Sequence, residues 1–337
     1  MTLIRPTAKA DGESPAGRRT AVVRAAAVLA LVTSTALISL LGPSAALHGT
    51  GEAAAPGVGG LALLRTALFT ALGIPMGELF VNRLAHRLPG APPDTPRSWS
   101  PYAAATGFVA ALGLASVVAT GNLVPHSLSQ IDIGGLYSTR EGALALIEVN
   151  AFIVAGLCAL SRRPGTQIWP LAAVVLAEAL RAHPTTEHGP LVGSGLTLAH
   201  LTCAALWAGA LLHVLRTLRL WPGRGGEAGA ALLGLYARVA TVLLAAITAT
   251  GLWSTLRRMP ADTVLHQLTA TAYGRALLAK VILVTVVALL ALWARIRLRR
   301  APDPLTACVP ARAEVVALGL VVTVSGLLTA LPLPIRW

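Results

Sequence analysis

The chain has 337 residues, of which 55% are hydrophobic and 12% are charged, and its mean hydropathy is +0.70. This composition is typical of an integral membrane protein and excludes a water-soluble domain built around one core. The net charge of +13 does not indicate nucleic-acid binding, because the basic residues form short clusters between apolar blocks, as membrane proteins use to fix their orientation. The cysteines lie far apart without a CxxC pair, which argues against a disulfide framework: Cys158, Cys203 and Cys308.

The apolar residues form blocks about 20 residues long, the length that spans a bilayer as an α-helix. We therefore predict an all-α polytopic transmembrane helical bundle. The first block is preceded by basic residues and followed by small ones, so it is either a retained helix or a cleaved signal peptide that would leave eight spans. Nine spans are predicted, at about 25–46, 59–82, 101–121, 142–161, 168–182, 194–215, 239–256, 274–294 and 312–331.

Lysine and arginine are distributed unequally between the two sides of the predicted membrane. Two of the 27 lie within spans, Arg65 and Lys280, and nineteen fall on the side of the N-terminus. Because cytoplasmic segments carry the excess of basic residues, the chain is predicted to have its N-terminus inside and its C-terminus outside. We call the predicted extracytoplasmic side outer and the other side inner. Six basic residues fall on the outer side: Arg140, Arg181, Arg257, Arg258, Arg275 and Arg336.

Five polar side chains within the spans are predicted to share one depth, roughly 6–10 Å below the outer surface. An ionisable group in hydrocarbon normally faces the bundle interior and finds a partner. We predict that Lys280 and Arg65 neutralise two acids of other helices. The layer is either an ion-pair network that holds the helices together or a polar chamber open to the outside, and both can be true. Its members are Arg65, Glu148, Glu178, His200 and Lys280.

Three histidines surround a predicted helix break in RAHPTTEHGPLVGSGLTLAH, residues 181–200. The turn that begins at Pro184 makes two helices antiparallel neighbours. His183 ends the first helix, and His200 lies about 9 Å down the second, so both are expected to face one outer pocket. We predict that His183 and His200 are primary metal ligands, with His188 nearby.

Cys203 lies one turn after His200 and is a possible deeper ligand, since thiolate and imidazole together suit copper or zinc. Two imidazoles alone bind copper modestly, so a third ligand is expected. The competing interpretation is that His200 is a helix-packing residue bonded to Glu148 or to a hydroxyl. The candidates for the third ligand are His126, His48 and Glu178.

These histidines are the first of several landmarks that occur in a fixed order over about residues 170–337. They are His183, His200 with Trp207 and Gly209 in "H……W.G", Thr250 and Gly251, the run "T.YGRALLAK" from Thr271 to Lys280, and Glu314 at the start of the last span. In this order the landmarks resemble the copper resistance protein D (CopD) family of bacterial membrane proteins. The chain accordingly divides into a basic N-terminal segment 1–24, transmembrane helices 25–165 and a CopD-like domain 166–337.

The resemblance implies copper movement across the cytoplasmic membrane of a bacterium, with import more often proposed than export. It matches His183 and His200 to recurrent histidines of the family, with His188 as an extra one. The cargo would be a copper ion, Cu(I) or Cu(II), and an extracytoplasmic copper chaperone is a possible partner beside the lipid bilayer. No enzymatic activity and no nucleic-acid partner are expected.

Two other functions compete with copper transport. A haem-bearing electron carrier would use His200 and His213, which lie thirteen residues or about 20 Å apart on one helix. A copper-handling assembly or resistance protein would use the same outer histidines without transport. The sequence contains no GxxxxGK[ST] phosphate loop, so transport would depend on the membrane potential, a proton gradient or a metal-binding partner.

Overall fold

The computed structural model describes residues 15–53, 55–121, 123–125, 127–183, 189–221, 226–259, 262–300 and 308–332. These ranges contain eleven α-helices and no β-strand. The helices are α1 Pro15–Leu47, α2 Val58–Ala85, α3 Ser100–Ala119, α4 Ile133–Ser138, α5 Arg140–Leu160, α6 Ile168–Arg181, α7 Pro190–Leu220, α8 Gly226–Arg258, α9 Val264–Ala270, α10 Ala272–Arg300 and α11 Cys308–Ala330.

Eight of the described helices are long and apolar enough to cross a membrane, which confirms the predicted all-α polytopic bundle. The remaining predicted span, the fifth along the chain, is α6, which has 14 residues and is about 21 Å long. It is therefore shorter than the roughly 30 Å hydrocarbon core. Two short helices, α4 and α9, were not predicted, and α8 begins well before its apolar block. The orientation of the bundle in the membrane remains a prediction.

Helix α2 lies at the centre of the bundle and packs against α1, α3, α6, α7 and α11. It approaches α7 most closely at Gly73 and Gly77, which lie against Gly209. Small residues at such a crossing let two backbones come together, which is how transmembrane helices associate without a hydrophobic driving force. The contact joins the N-terminal helices to the C-terminal half of the chain.

The C-terminal helices add a second group to this centre. Helix α7 packs against α8, α11 packs against α2 and α10, and α10 also contacts α9. Large apolar side chains on the outward faces of α1, α8 and α10 remain exposed, among them Leu41, Trp253 and Leu289. Such faces are expected to contact lipid. The buried acids and histidines belong to α2, α5, α7 and α11 and to the outer end of α6.

Candidate functional site

Two acids and two arginines form an ion-pair cluster at the outer end of α2, α5 and α6. Arg65 Nη1 lies 2.5 Å from both carboxylate oxygens of Glu178, and Arg181 forms an ion pair with Glu148. Arg181 Nη2 also lies 3.7 Å from Glu178 Oε1 and so connects the two pairs. Glu148 is fully buried and Glu178 nearly so. The four charges balance, so the cluster holds three helices together without a net charge.

The predicted pairing of Lys280 with an acid in this layer needs correction. Helix α6 ends at Arg181, one turn after Glu178, and packs against α5, so the Arg181 side chain reaches Glu148. Lys280 lies on α10, which packs against α11, α9, α1 and α8, and it forms no ion pair among the described residues. Arg181 was not predicted in this layer because its place in the sequence, at the end of a span, assigned it to the outer segments.

His183 is buried at the outer end of α6 and contacts the first turns of α7. It is 4% exposed, and its Nε2 lies 3.0 Å from Thr197 Oγ1. A β-carbon added to Gly193 would lie 2.5 Å from His183 Nδ1, so the imidazole occupies space that only a glycine leaves open. Thr197 precedes His200 by three residues, and side chains at that spacing are neighbours on one helix face. The fold therefore brings the two predicted ligands to adjacent turns of α7.

His200 connects α7 to α8 through one ring nitrogen. Its Nδ1 lies 2.9 Å from Thr250 Oγ1. The Thr250 hydroxyl donates its hydrogen to the carbonyl oxygen of Ala246 at 2.7 Å, so it accepts the hydrogen bond from Nδ1–H of His200. With Nδ1 as the donor, the lone pair of the neutral imidazole lies on Nε2. The hydrogen bond to Thr250 agrees with the interpretation of His200 as a packing residue bonded to a hydroxyl. That hydrogen bond uses Nδ1 only, so Nε2 is the nitrogen that would bind a ligand.

The described residues contain no group of three His, Cys, Asp or Glu side chains that could hold a metal ion. Glu178, predicted as a third ligand, has both oxygens in contact with Arg65. Cys203 is a half-buried free thiol one turn below His200, and His48 is exposed in the loop after α1. His126 and His188 lie outside the described residues. Of the predicted ligands, His200 and Cys203 lie one turn apart on α7 and His183 packs against the first turns of that helix, but the three do not form such a group.

A second polar cluster lies at the inner end of α2 and α7 and was not predicted. Glu78 accepts hydrogen bonds from the Ser98 hydroxyl at 2.6 Å, the Ser100 hydroxyl at 2.7 Å, the Trp99 backbone N–H at 2.8 Å and Arg216 Nη1 at 2.9 Å. The Arg216 guanidinium also stacks over the Trp99 ring at 3.7 Å. The cluster attaches the segment before α3 to α7. The feature of the sequence that could have indicated this cluster is an acidic residue within a predicted span, Glu78.

His213 belongs to this inner cluster. Its Nε2 lies 3.0 Å from Asn82 Oδ1, its Nδ1 lies 3.9 Å from Glu78 Oε1, and the side chain is 2% exposed. Both ring nitrogens of His213 therefore face side chains of α2, which leaves neither of them open to a haem iron. This packing disfavours the haem alternative, which required His213 and His200 to ligate two stacked haems.

These features define a polytopic α-helical membrane protein with an ion-pair layer at one end and a buried glutamate cluster at the other. The family model for copper resistance protein D matches residues 230–328, which confirms the predicted resemblance over this part of the chain. The match runs from α8 to α11 and includes Thr250, Lys280 and Glu314, whereas His183 and His200 precede it. It supports a copper-related function. No curated protein and no solved structure matches the chain.

Proposed function

We propose that the protein carries copper across the cytoplasmic membrane of a bacterium, in the import direction, through an outer histidine site. The polytopic bundle and the match to the copper resistance protein D family support this proposal. The main observation behind the proposal is that one ring nitrogen of His200, Nδ1, is hydrogen-bonded to Thr250. A neutral imidazole with one nitrogen hydrogen-bonded and the other carrying a lone pair is the form in which histidine binds metal ions.

The second ligand of the proposed site is His183. It reaches α7 next to Thr197, one turn from His200. The Cys203 thiol follows one turn further inward on the same helix and offers the next ligand along the path. Imidazole and thiolate are ligands that copper accepts, and the thiolate favours Cu(I). The site is therefore proposed to pass copper from two imidazoles toward a thiol.

The ion-pair cluster supports this site as a neutral frame. Glu178 and Arg181 lie at the end of α6, which delivers His183 to α7 two residues later. Arg65 and Glu148 hold that end against α2 and α5. Because the four charges balance, the frame does not repel a copper ion.

Copper binding and copper transport are tested separately with the full chain in lipid vesicles. Binding is measured by titration with Cu(I) and Cu(II), followed by X-ray absorption at the copper edge. Transport is measured as copper that accumulates inside the vesicles. We compare the parent with His183→Ala and His200→Ala. The matched control is His266→Ala, which removes an exposed histidine of α9.

We expect His200→Ala and His183→Ala to lose copper binding and transport, while His266→Ala behaves as the parent does. Unchanged binding in both site variants would place the copper site elsewhere and overturn the proposal. Copper binding to His200 without accumulation in vesicles would favour the alternative function, an assembly or resistance protein that hands copper to a partner such as an extracytoplasmic chaperone.

A further inference from the structure

Four glutamates are buried in the described part of the chain, and three of them have an arginine partner. Glu78 pairs with Arg216 at 2.9 Å, Glu178 pairs with Arg65 at 2.5 Å, and Glu148 pairs with Arg181. The fourth is Glu314 on α11, which is 3% exposed and has no ion pair among the described residues. Its Oε1 is buried without a hydrogen-bond partner. Glu314 is therefore the one buried acid among the described residues that has no arginine partner.

The surroundings of Glu314 come from α7 and α8. Its carboxyl lies beside the Trp207 side chain of α7, whose indole Nε1 is buried without a well-formed hydrogen bond. Tyr236 of α8 donates its hydroxyl hydrogen to the Trp207 backbone carbonyl at 3.2 Å, and its phenol is the titratable group that faces Glu314. Among the described residues, no ion pair joins this carboxyl to a side chain of α1, α2 or α10.

Glu314 also lies at the inner end of the helix face that carries the proposed copper ligands. His200, Cys203 and Trp207 stand three and four residues apart on α7, so their side chains follow one face of the helix. Trp207 is the innermost of the three and contacts Glu314. Glu314 itself lies about 9 Å from the start of α11, on the inner half of the bundle.

A single carboxyl in this position is poorly suited to hold a metal ion, because the described residues place no group of three His, Cys, Asp or Glu side chains there. In an apolar interior a carboxyl without a cationic partner carries a proton rather than a charge. Ionisable side chains inside membrane proteins that lack a structural partner typically belong to substrate pathways or proton relays. The geometry thus favours a proton over a metal ion at this position.

We propose that Glu314 is a proton-exchanging residue on the inner half of the bundle. Its carboxyl O–H bond breaks as the proton passes to a water molecule of the inner solution, which leaves a carboxylate and a hydronium ion, and the reverse step restores the O–H bond. The coupling of this exchange to copper movement along α7 rests on the proposed function, whereas the exchange itself does not. The hydrogen bond from the Tyr236 hydroxyl to the Trp207 carbonyl positions the part of α7 against which the Glu314 carboxyl lies.

The protonated carboxyl is tested by infrared spectroscopy of the full chain in lipid vesicles at neutral pH, in H2O and in D2O. We expect a carbonyl band of a protonated carboxyl that shifts in D2O. The band should be absent in Glu314→Gln and displaced in Glu314→Asp, which keeps the acid. The matched control is Glu227→Gln, which removes an exposed acid at the start of α8 and should keep the band. A band that persists unchanged in Glu314→Gln, or that is absent from the parent, would overturn the proposal.

The coupling is tested in vesicles that contain a pH-sensitive dye. Copper added outside should change the internal pH with the parent and with Glu227→Gln, and should leave it unchanged with Glu314→Gln. Copper binding to the outer histidines should remain as in the parent, because Glu314 lies on the inner half. Equal pH changes in Glu314→Gln and the parent would contradict the coupling. A parent that moves no copper contradicts the proposed function instead, while the infrared band still decides the protonation of Glu314.

Discussion

Gly77 on α2 lies directly against the backbone of Gly209 on α7. A β-carbon added to Gly77 would lie 2.0 Å from the carbonyl carbon of Gly209, and one added to Gly209 would lie 1.9 Å from the carbonyl oxygen of Gly73. Both distances are far below van der Waals contact, and the opposing atoms belong to backbones that cannot rotate away. The central helix crossing therefore depends on glycine at these positions.

We expect Gly209→Ala to lower the free energy of unfolding by about 1–3 kcal/mol, because the added methyl group forces α2 and α7 apart. The matched control is Gly234→Ala in α8, where a β-carbon would meet no atom within 4 Å. That substitution should leave stability unchanged or raise it slightly, since alanine favours the helix over glycine. Thermal unfolding in detergent measures both. Equal stability of Gly209→Ala and the parent would mean that the helices are not packed this closely.

The approximate positions of the eight membrane-length helices could be predicted because bilayer thickness fixes the length of an apolar block. The ends of the helices could not, because polar turns continue a helix beyond the hydrocarbon. Helix α8 illustrates this, since it begins at Gly226, thirteen residues before its predicted span. The 14-residue α6 is the opposite case, an apolar segment too short to span alone and held by α5 and α7.

The depth of each buried charge could also be read from the sequence, but its partner could not. Glu148 and Glu178 were placed in one layer with Arg65, and the structure pairs Arg65 with Glu178. Which base neutralises Glu148 depends on the neighbours of α5, and depth alone cannot rank Arg181 against Lys280. The inner cluster was missed because three of its four donors to Glu78 come from residues 98–100 at the start of α3, where the sequence shows only ordinary polar residues.

Removal of Arg181 should be strongly destabilising. Arg181→Ala leaves Glu148 buried without its partner, a change that typically costs about 3–5 kcal/mol. The double variant with Glu148→Gln should recover part of this loss, because the unpaired charge is removed. Arg163→Ala is the matched control, since Arg163 is exposed in the turn between α5 and α6. Thermal unfolding of the parent, Arg181→Ala, Glu148→Gln and the double variant gives the coupling, and additive effects of the two substitutions would contradict the ion pair.

The inner cluster should hold the segment that precedes α3. Glu78→Ala removes the acceptor of four hydrogen bonds and leaves Arg216 without its carboxylate, so we expect faster hydrogen exchange at the backbone N–H groups of residues 97–100. Protection of residues in α5, which does not contact Glu78, should remain as in the parent. The control is Ser129→Ala, which removes an exposed hydroxyl from the loop after α3. Unchanged exchange at 97–100 would show that other contacts hold this segment.

The predicted orientation places the loop after α3 outside and the turn after α5 inside. We expect a membrane-impermeant maleimide to label Ser127→Cys in intact cells and Ser161→Cys only after permeabilisation, in a parent whose three cysteines are replaced by alanine. Both serines are exposed in the structure, so access depends on the side of the membrane. The reverse labelling pattern would move His183 and His200 to the cytoplasmic face and contradict the import direction.

Thr250 should determine the copper affinity of His200 without binding copper itself. Its hydroxyl accepts from Nδ1 and thereby leaves the lone pair on Nε2. Thr250→Val keeps the shape and removes this acceptor, so we expect copper binding to weaken about 10- to 100-fold, as is typical for loss of a hydrogen bond behind a metal-binding histidine. Thr250→Ser retains the hydroxyl and should bind copper as the parent does. Competition titration against a chelator measures the three affinities. If Thr250→Val binds copper as tightly as Thr250→Ser, the hydrogen bond serves only the packing of α7 on α8, and the assignment of Nε2 as the copper-binding nitrogen fails.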